Sequence, residues 1–363
     1  MGMKIYAMEE IENLRLHGRV SRRQTPGIPL FWTGACVEVN MTGSKLFLHY
    51  TCFEDAGEAY LRVEVDGFDL LRFPLEAGEH RVLLLSGFGG FTKNVRIFRE
   101  NQASGTVILI RALETDGEFL PVEQRKLIEF IGDSVTSGEG LAGAPNMKNW
   151  VPAVFSCRNN YALLTARALN ADWSILSQSG WGIYCSWDNN TTCAMPLYYG
   201  GVAAMQKSER NRALGTADEY DFVRKADVVV INLGANDSSA MNEENPAWTD
   251  ENGSVWHLHA DEAAKTTIRN AYLGFMEAVR EKNPEALIVL AVNMFGNHNG
   301  IADMGREAFD LYREKHPGDR AVLAELPAFD GVHGVGARSH PGKEMHEQFA
   351  EALVKVIGEH WKK

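Results

Sequence analysis

Leu127-Ile128-Glu129-Phe130-Ile131-Gly132-Asp133-Ser134-Val135-Thr136-Ser137-Gly138 carries a serine from the end of an apolar run onto a turn flanked by glycines. The apolar residues within 127–131 predict a buried strand, Gly132 and Gly138 supply backbone freedom, and the residues between them are expected to open a helix. A hydroxyl placed there stands at the carboxyl end of a strand, with backbone N–H groups turned toward any developing negative charge. The competing reading is an ordinary strand-to-helix turn capped by Asp133 or Ser134.

Two further segments decide between them. Asp227-Val228-Val229-Val230-Ile231-Asn232-Leu233-Gly234-Ala235-Asn236-Asp237 is a second apolar run, ending in Gly-x-Asn-Asp and offering a side-chain amide. Ser177-Gln178-Ser179-Gly180-Trp181-Gly182 follows a third strand at 173–176 and offers the Gly180 N–H. If these strands are parallel, the loops at their carboxyl ends gather in one crevice, uniting a nucleophile with two oxyanion donors. A base is supplied by Ser339-His340-Pro341-Gly342, a turn just before a C-terminal helix.

Gly132-Asp133-Ser134, Gly180, Gly234-x-Asn236-Asp237 and His340-Pro341, in this order, resemble the four blocks of the SGNH (GDSL-type) hydrolases over roughly residues 123–363. The resemblance implies a flavodoxin-like domain with Ser134 as nucleophile, His340 as general base, and Ser134, Gly180 and Asn236 as oxyanion donors. A β-rich segment directly ahead of the Gly-Asp-Ser block is similar to carbohydrate esterase family 2, which includes acetyl xylan esterases. That implies removal of acetyl groups from acetylated oligosaccharides.

One position departs from the pattern. Family members often carry Gly-x-Gly-x-Asp-x-His-Pro, and here Gly334-Val335-Gly336-Ala337-Arg338-Ser339-His340-Pro341 sets Arg338 where the aspartate would stand. The acid that orients the histidine must then be replaced. Asp330, in Asp330-Gly331-Val332-His333, is one candidate; a main-chain carbonyl, as in the family's serine-histidine dyads, is the favoured one. His333 copies the Asp-x-x-His spacing, but His340 precedes proline and the terminal helix and is preferred, which leaves His333 as a residue of a glycine-rich turn.

At 363 residues the chain exceeds the usual single domain, and 45% hydrophobic with 23% charged residues is a globular composition. A formal charge of -12 repels phosphate backbones and anionic lipid, and no run of ~18 apolar residues could span a membrane. The N-terminus turns acidic before any apolar stretch, so it does not read as a signal peptide. Five cysteines without a metal-like spacing favour a reducing, cytoplasmic setting over pairing of Cys185 with Cys193.

Residues 1–122 show short alternating runs at 44–50, 59–65 and 105–110, with a tight turn at Asp66-Gly67. They predict a jelly-roll-like β-sandwich. From residue 123, strands at 127–131, 173–176, 228–233, 287–292 and 321–326 alternate with helical patterns at 161–169, 261–281 and 308–315. This predicts an α/β domain built on a parallel sheet, with the boundary near Pro121-Val122-Glu123-Gln124.

Some features read blandly. Gly87-Phe88-Gly89-Gly90-Phe91 lacks the strand-to-helix context and third glycine of a dinucleotide fingerprint and reads as a turn of the β domain. His257-Leu258-His259 with Asp261 and Glu262 hints at metal ligation, but spacing identifies no third ligand, so a polar loop is expected. Trp181 is the candidate for stacking on a sugar ring. The expectation is therefore a two-domain carbohydrate acetylesterase with no metal or organic cofactor and no nucleic-acid or membrane partner; homo-oligomerisation is left open. The alternatives are a lipase, thioesterase or arylesterase of the same fold, or a carbohydrate-binding protein with a decayed site.

Overall fold

The computed structural model describes residues 2–361, leaving aside 13, 22, 24, 54–57, 88, 90 and 103–104. The turn expected at 87–91 falls partly on these, since Phe88 and Gly90 lie outside the described residues. The chain divides into two compact units. The first comprises Met1–Arg125 with Trp150–Cys157 and Gly200–Tyr220, and the second Lys126–Asn149, Arg158–Tyr199 and Asp221–Lys363. Residues 150–157 and 200–220, read from sequence as part of the segment beginning at 123, thus pack with the first unit.

The first unit is two antiparallel sheets. One orders Lys4–Ala7, Ile108–Thr115, Lys45–Cys52 and Gly78–Ser86, with Ile28–Leu30 also paired to Ile108–Thr115. The other orders Phe119–Leu120, Cys36–Met41, Lys93–Arg99, Tyr60–Val65 and Phe68–Pro74, with Arg15–His17 paired to Cys36–Met41. Leu46, Leu48 and Ile110 from the first sheet meet Val37, Val63 and Ile97 from the second in one apolar core, which makes the pair a sandwich. The hairpin from Tyr60–Val65 to Phe68–Pro74 turns on Asp66 and Gly67, both at positive φ (51° and 82°), as a two-residue primed turn requires.

The second unit is a five-stranded, wholly parallel sheet in the order Asp172–Ser177, Leu127–Gly132, Val228–Asn232, Leu287–Val292, Ala321–Glu325. By chain order this is 2-1-3-4-5, the flavodoxin-like arrangement. The first four strands are buried at every position, and residues 228–231 and 287–292 accordingly read as unbroken apolar runs, as in sheets covered on both faces, whereas Glu129 and Ser174 interrupt the other two. Helix Glu262–Lys282 packs on Ile301–Lys315, and Tyr161–Ala168 packs on Lys343–Trp361. Asp261 caps the first of these by accepting the Ala264 N–H at 2.9 Å. Among the described residues no helix is long and apolar enough to cross a membrane, and none of the five cysteines forms a disulfide.

Register brings the site together. Gly132 stands level with Ser177 on one side and Asn232 on the other. Ser134, Gly180 and Asn236 therefore leave the sheet at the same edge, around the point where the strand order reverses, which is where open parallel sheets hold their ligands.

Candidate active site

The segment after Gly132 does not open the expected helix. Ser137 and Glu139 donate their N–H groups to Asp133 and Ser134 carbonyls (both 2.9 Å), but Gly138 and Gly140 adopt φ of 79° and 89° and end the winding. Among the described residues the first α-helix begins only at Tyr161. Gly132 is required by close approach: a Cβ there would stand 1.9 Å from Thr136 Oγ1 and 2.8 Å from the Asn232 carbonyl. Asp133 accepts the Val135 N–H at 3.0 Å and steadies the turn. Burial pushes the Asp133 carboxyl up to about 7.

His340 reaches this turn from the far end of the chain. Its Nε2 lies 2.9 Å from Ser134 Oγ and its Nδ1 lies 3.1 Å from the Arg338 carbonyl oxygen. A carbonyl only accepts, so Nδ1 carries the hydrogen and Nε2 presents its lone pair to the serine hydroxyl. An imidazole held in that tautomer can take the hydroxyl proton as the oxygen attacks a carbonyl carbon. Asp330 is elsewhere: it pairs with the exposed His333 at 2.6 Å, and that pairing holds its carboxyl well below the usual range.

Arg338, read from sequence only as a lost acid, has two roles in the loop. Its backbone supplies the carbonyl under His340, and its guanidinium pairs with the buried Glu139. Glu139 also accepts the Ser179 hydroxyl at 2.5 Å and comes within 3.8 Å of His340 Nε2, on the side away from Nδ1. Arg338 and Ser339 both sit at positive φ (57° and 59°), a conformation that costs non-glycine residues about 1 kcal/mol or more each. Cross-loop bonds hold it: Ala337 donates to the Gly140 carbonyl at 3.0 Å and Arg338 to that of Met147 at 2.8 Å. A Cβ on Gly140 would lie 2.7 Å from His340 Cβ, so glycine lets the two loops touch.

Asn236 is the second residue of the short helix Ala235–Ala240, entered through Gly234. Its amide donates one hydrogen to the Trp181 carbonyl at 2.9 Å, leaving the other for a ligand oxygen. The neighbouring Asp237 stands out in the sequence only as part of the motif. It is fully buried and accepts three consecutive N–H groups, from Ile183 (2.8 Å), Tyr184 (2.7 Å) and Cys185 (3.0 Å), clamping the loop that carries Gly180. Burial raises its carboxyl to about 6 even against those three bonds. The spacing of Asn236 and Asp237 was visible; the clamp was not, because it forms across 52–54 residues of sequence.

Ser134, Asn236 and His340 line one cleft of about 300 Å³, with Ser238, Asn242, Phe295 and His298 along its wall. Gly180 and Trp181 are not among its lining residues; Trp181 is half-buried with its ring 4.9 Å from that of Tyr198.

Residues 130–354 match the model of the GDSL-like lipase/acylhydrolase family. The fold is similar to that of the acetyl xylan esterase Est2A from the rumen bacterium Butyrivibrio proteoclasticus, with a TM-score of 0.94 and 30% identity over 100% of this chain and 99% of that one. The sequence is 27% identical to the cellulase/esterase CelE of Acetivibrio thermocellus over 96% of this chain, which spans 40% of that protein's length. It is 24% identical to an acetylxylan esterase/glucomannan deacetylase of Cellvibrio japonicus, over 95% of this chain and 88% of that protein. With the match to the family model running from the end of the strand that precedes Ser134 into the helix that follows His340, the chain belongs to the GDSL-like lipase/acylhydrolase family.

Proposed function

We propose that this chain is a serine esterase that removes acetyl groups from acetylated carbohydrate. The reading rests on one observation above the rest: the hydrogen-bonded sequence Ser134 Oγ, His340 imidazole, Arg338 carbonyl. Ser134 Oγ attacks the acetyl carbonyl carbon while His340 Nε2 takes its proton. The oxyanion is met by the Ser134 and Gly180 N–H groups and the free hydrogen of the Asn236 amide, one such donor being worth about 3 kcal/mol. Collapse breaks the bond to the sugar oxygen, which leaves as a hydroxyl with the proton from His340. Water, deprotonated by the same nitrogen, then releases acetate from acetyl-Ser134. The Arg338 carbonyl keeps Nδ1 protonated throughout and faces the positive imidazolium when it forms.

Acetyl sugar is favoured over other esters by the relatives that extend through both units. Turnover of acetylated xylan or glucomannan by the wild-type chain, lost in Ser134→Ala and absent on long-chain p-nitrophenyl esters, is the expected outcome. Preference for the long-chain ester would assign the site to a lipase-like activity, and equal turnover by Ser134→Ala would remove the proposed chemistry altogether.

A further inference from the structure

We propose that Glu243, His257 and His259 form a divalent-metal site, best suited to zinc, apart from the Ser134 cleft. Each offers a ligand atom within 4.8 Å of those of the other two. Two imidazoles and one carboxylate are a donor set that zinc takes readily, with a water completing four-coordination. Calcium and magnesium, which want six or more oxygens, are poorly served by it.

His257 carries the inference furthest. Its Nε2 lies 3.2 Å from the Asn245 carbonyl oxygen, and since a carbonyl only accepts, Nε2 bears the hydrogen. Nδ1 is then a bare lone pair, and it is a buried atom with no hydrogen-bond partner. Leaving a buried acceptor unpaired costs about 1–3 kcal/mol. An imidazole with one nitrogen donating to a backbone carbonyl and the other nitrogen unfilled is the arrangement of metal-binding histidines, whose outer hydrogen bond fixes the tautomer. Water cannot reach Nδ1, but a zinc ion stands only about 2.0–2.1 Å from its nitrogen ligands, well inside the distance of about 2.9 Å that a water needs.

The other two ligand groups stand beside the same ring. The His257 and His259 rings are 4.8 Å apart between centroids, and His259 Nδ1 lies 2.8 Å from Glu243 Oε1. Glu243 and His259 are exposed, so modest rotations about their side-chain bonds suffice. The scaffold on the His257 side is fixed: Asn245 donates its amide to the Ser239 carbonyl at 2.6 Å. Glu243 follows the helix Ala235–Ala240, and His257 follows the hairpin of Trp248–Thr249 with Val255–Trp256. A bound ion would therefore tie that hairpin to the segment that supplies Ser238, Ser239 and Asn242 to the wall of the Ser134 cleft.

The test uses the full chain stripped with chelator and desalted, titrated calorimetrically with zinc chloride, with magnesium and calcium chlorides as comparisons, and melted with and without zinc. One zinc ion per chain should bind saturably and raise Tm, because an ion that binds only the folded state stabilises it. His259→Ala and Glu243→Ala, both at exposed positions, should weaken binding at least about tenfold and remove the rise in Tm. His333→Ala, which alters an exposed histidine outside the trio, should change neither. Absence of saturable zinc binding, binding that survives both ligand substitutions, or loss of binding in His333→Ala would overturn the site.

Discussion

At His340 the nitrogen facing away from Ser134 meets a backbone oxygen at 3.1 Å, whereas the Glu139 carboxylate stands 3.8 Å from the opposite nitrogen and is engaged by Ser179 and Arg338. The His340 ring is thus oriented by a main-chain carbonyl that no side-chain substitution removes. Asp330→Asn should accordingly change kcat/KM on p-nitrophenyl acetate by less than about tenfold, where loss of a true triad acid costs about four orders of magnitude. A fall of that larger size would return Asp330 to the mechanism. The Arg338 side chain has a different consequence. Arg338→Ala leaves Glu139 buried with one donor fewer and should lower unfolding free energy by about 2–3 kcal/mol, less than for a fully buried pair because the arginine is partly exposed. Chemical denaturation checks this, and an unchanged midpoint would mean that the ion pair does not hold the loop. The sequence showed Arg338 only as a departure from a pattern, because its partner lies 199 residues away and nothing local marks the pairing.

Among the elements, the terminal helix Lys343–Trp361 is seated through His346, which is fully buried and accepts the Tyr161 N–H on Nδ1 at 3.0 Å. The Tyr161 hydroxyl in turn bonds Thr136 at 2.7 Å and Asn232 at 3.2 Å, linking this helix to the serine turn. Burial, reinforced by His340, holds the His346 ring neutral down to about 3, against an ordinary value of 6.5. Between those values the unfolded chain binds a proton that the folded state refuses, so stability falls as pH drops, by up to about 1.4 kcal/mol per unit. Asp133 and Asp237 act in the opposite sense, because their raised values let the folded state keep protons that the unfolded chain sheds above pH 3.8. A variant separates the two contributions: His346→Asn, which keeps an acceptor for Tyr161 and does not titrate, should lose less stability than the wild type between pH 6.5 and 5 in urea unfolding. Equal losses would show that His346 is not the acid-sensitive seat. The five parallel strands were legible from sequence because each is a short apolar run closed by a turn. The start of Ile301–Lys315 was not, being placed at 308, since Gly300 at φ 77° and the polar residues before it mask the first turns.

For the whole molecule, two levels of likeness carry different weight. The family model spans residues 130–354 and speaks for an acyl-hydrolase core, whereas the likeness to Est2A covers 100% of the chain and that to CelE 96%, so both units share it. The sandwich was legible as alternating strands and a two-residue turn. The attachment of 150–157 and 200–220 to it was not, because those segments have little regular structure and belong to the first unit by contact alone. Buried charge was not legible: Arg62 lies on the face of its sheet opposite core residues Leu61 and Val63, between Glu64 (2.5 Å), Asp69 (2.8 Å) and Glu100 (2.9 Å), on a strand whose alternation reads as half-exposed. Transfer of acetyl from a sugar hydroxyl to Ser134 and then to water is read out by acid-quenching the enzyme in turnover with acetylated xylo-oligosaccharide and mapping its peptides by mass spectrometry. One acetyl group is expected on the peptide containing Ser134, and none in Ser134→Ala. An acetyl group on another residue, or sustained deacetylation by Ser134→Ala, would contradict it.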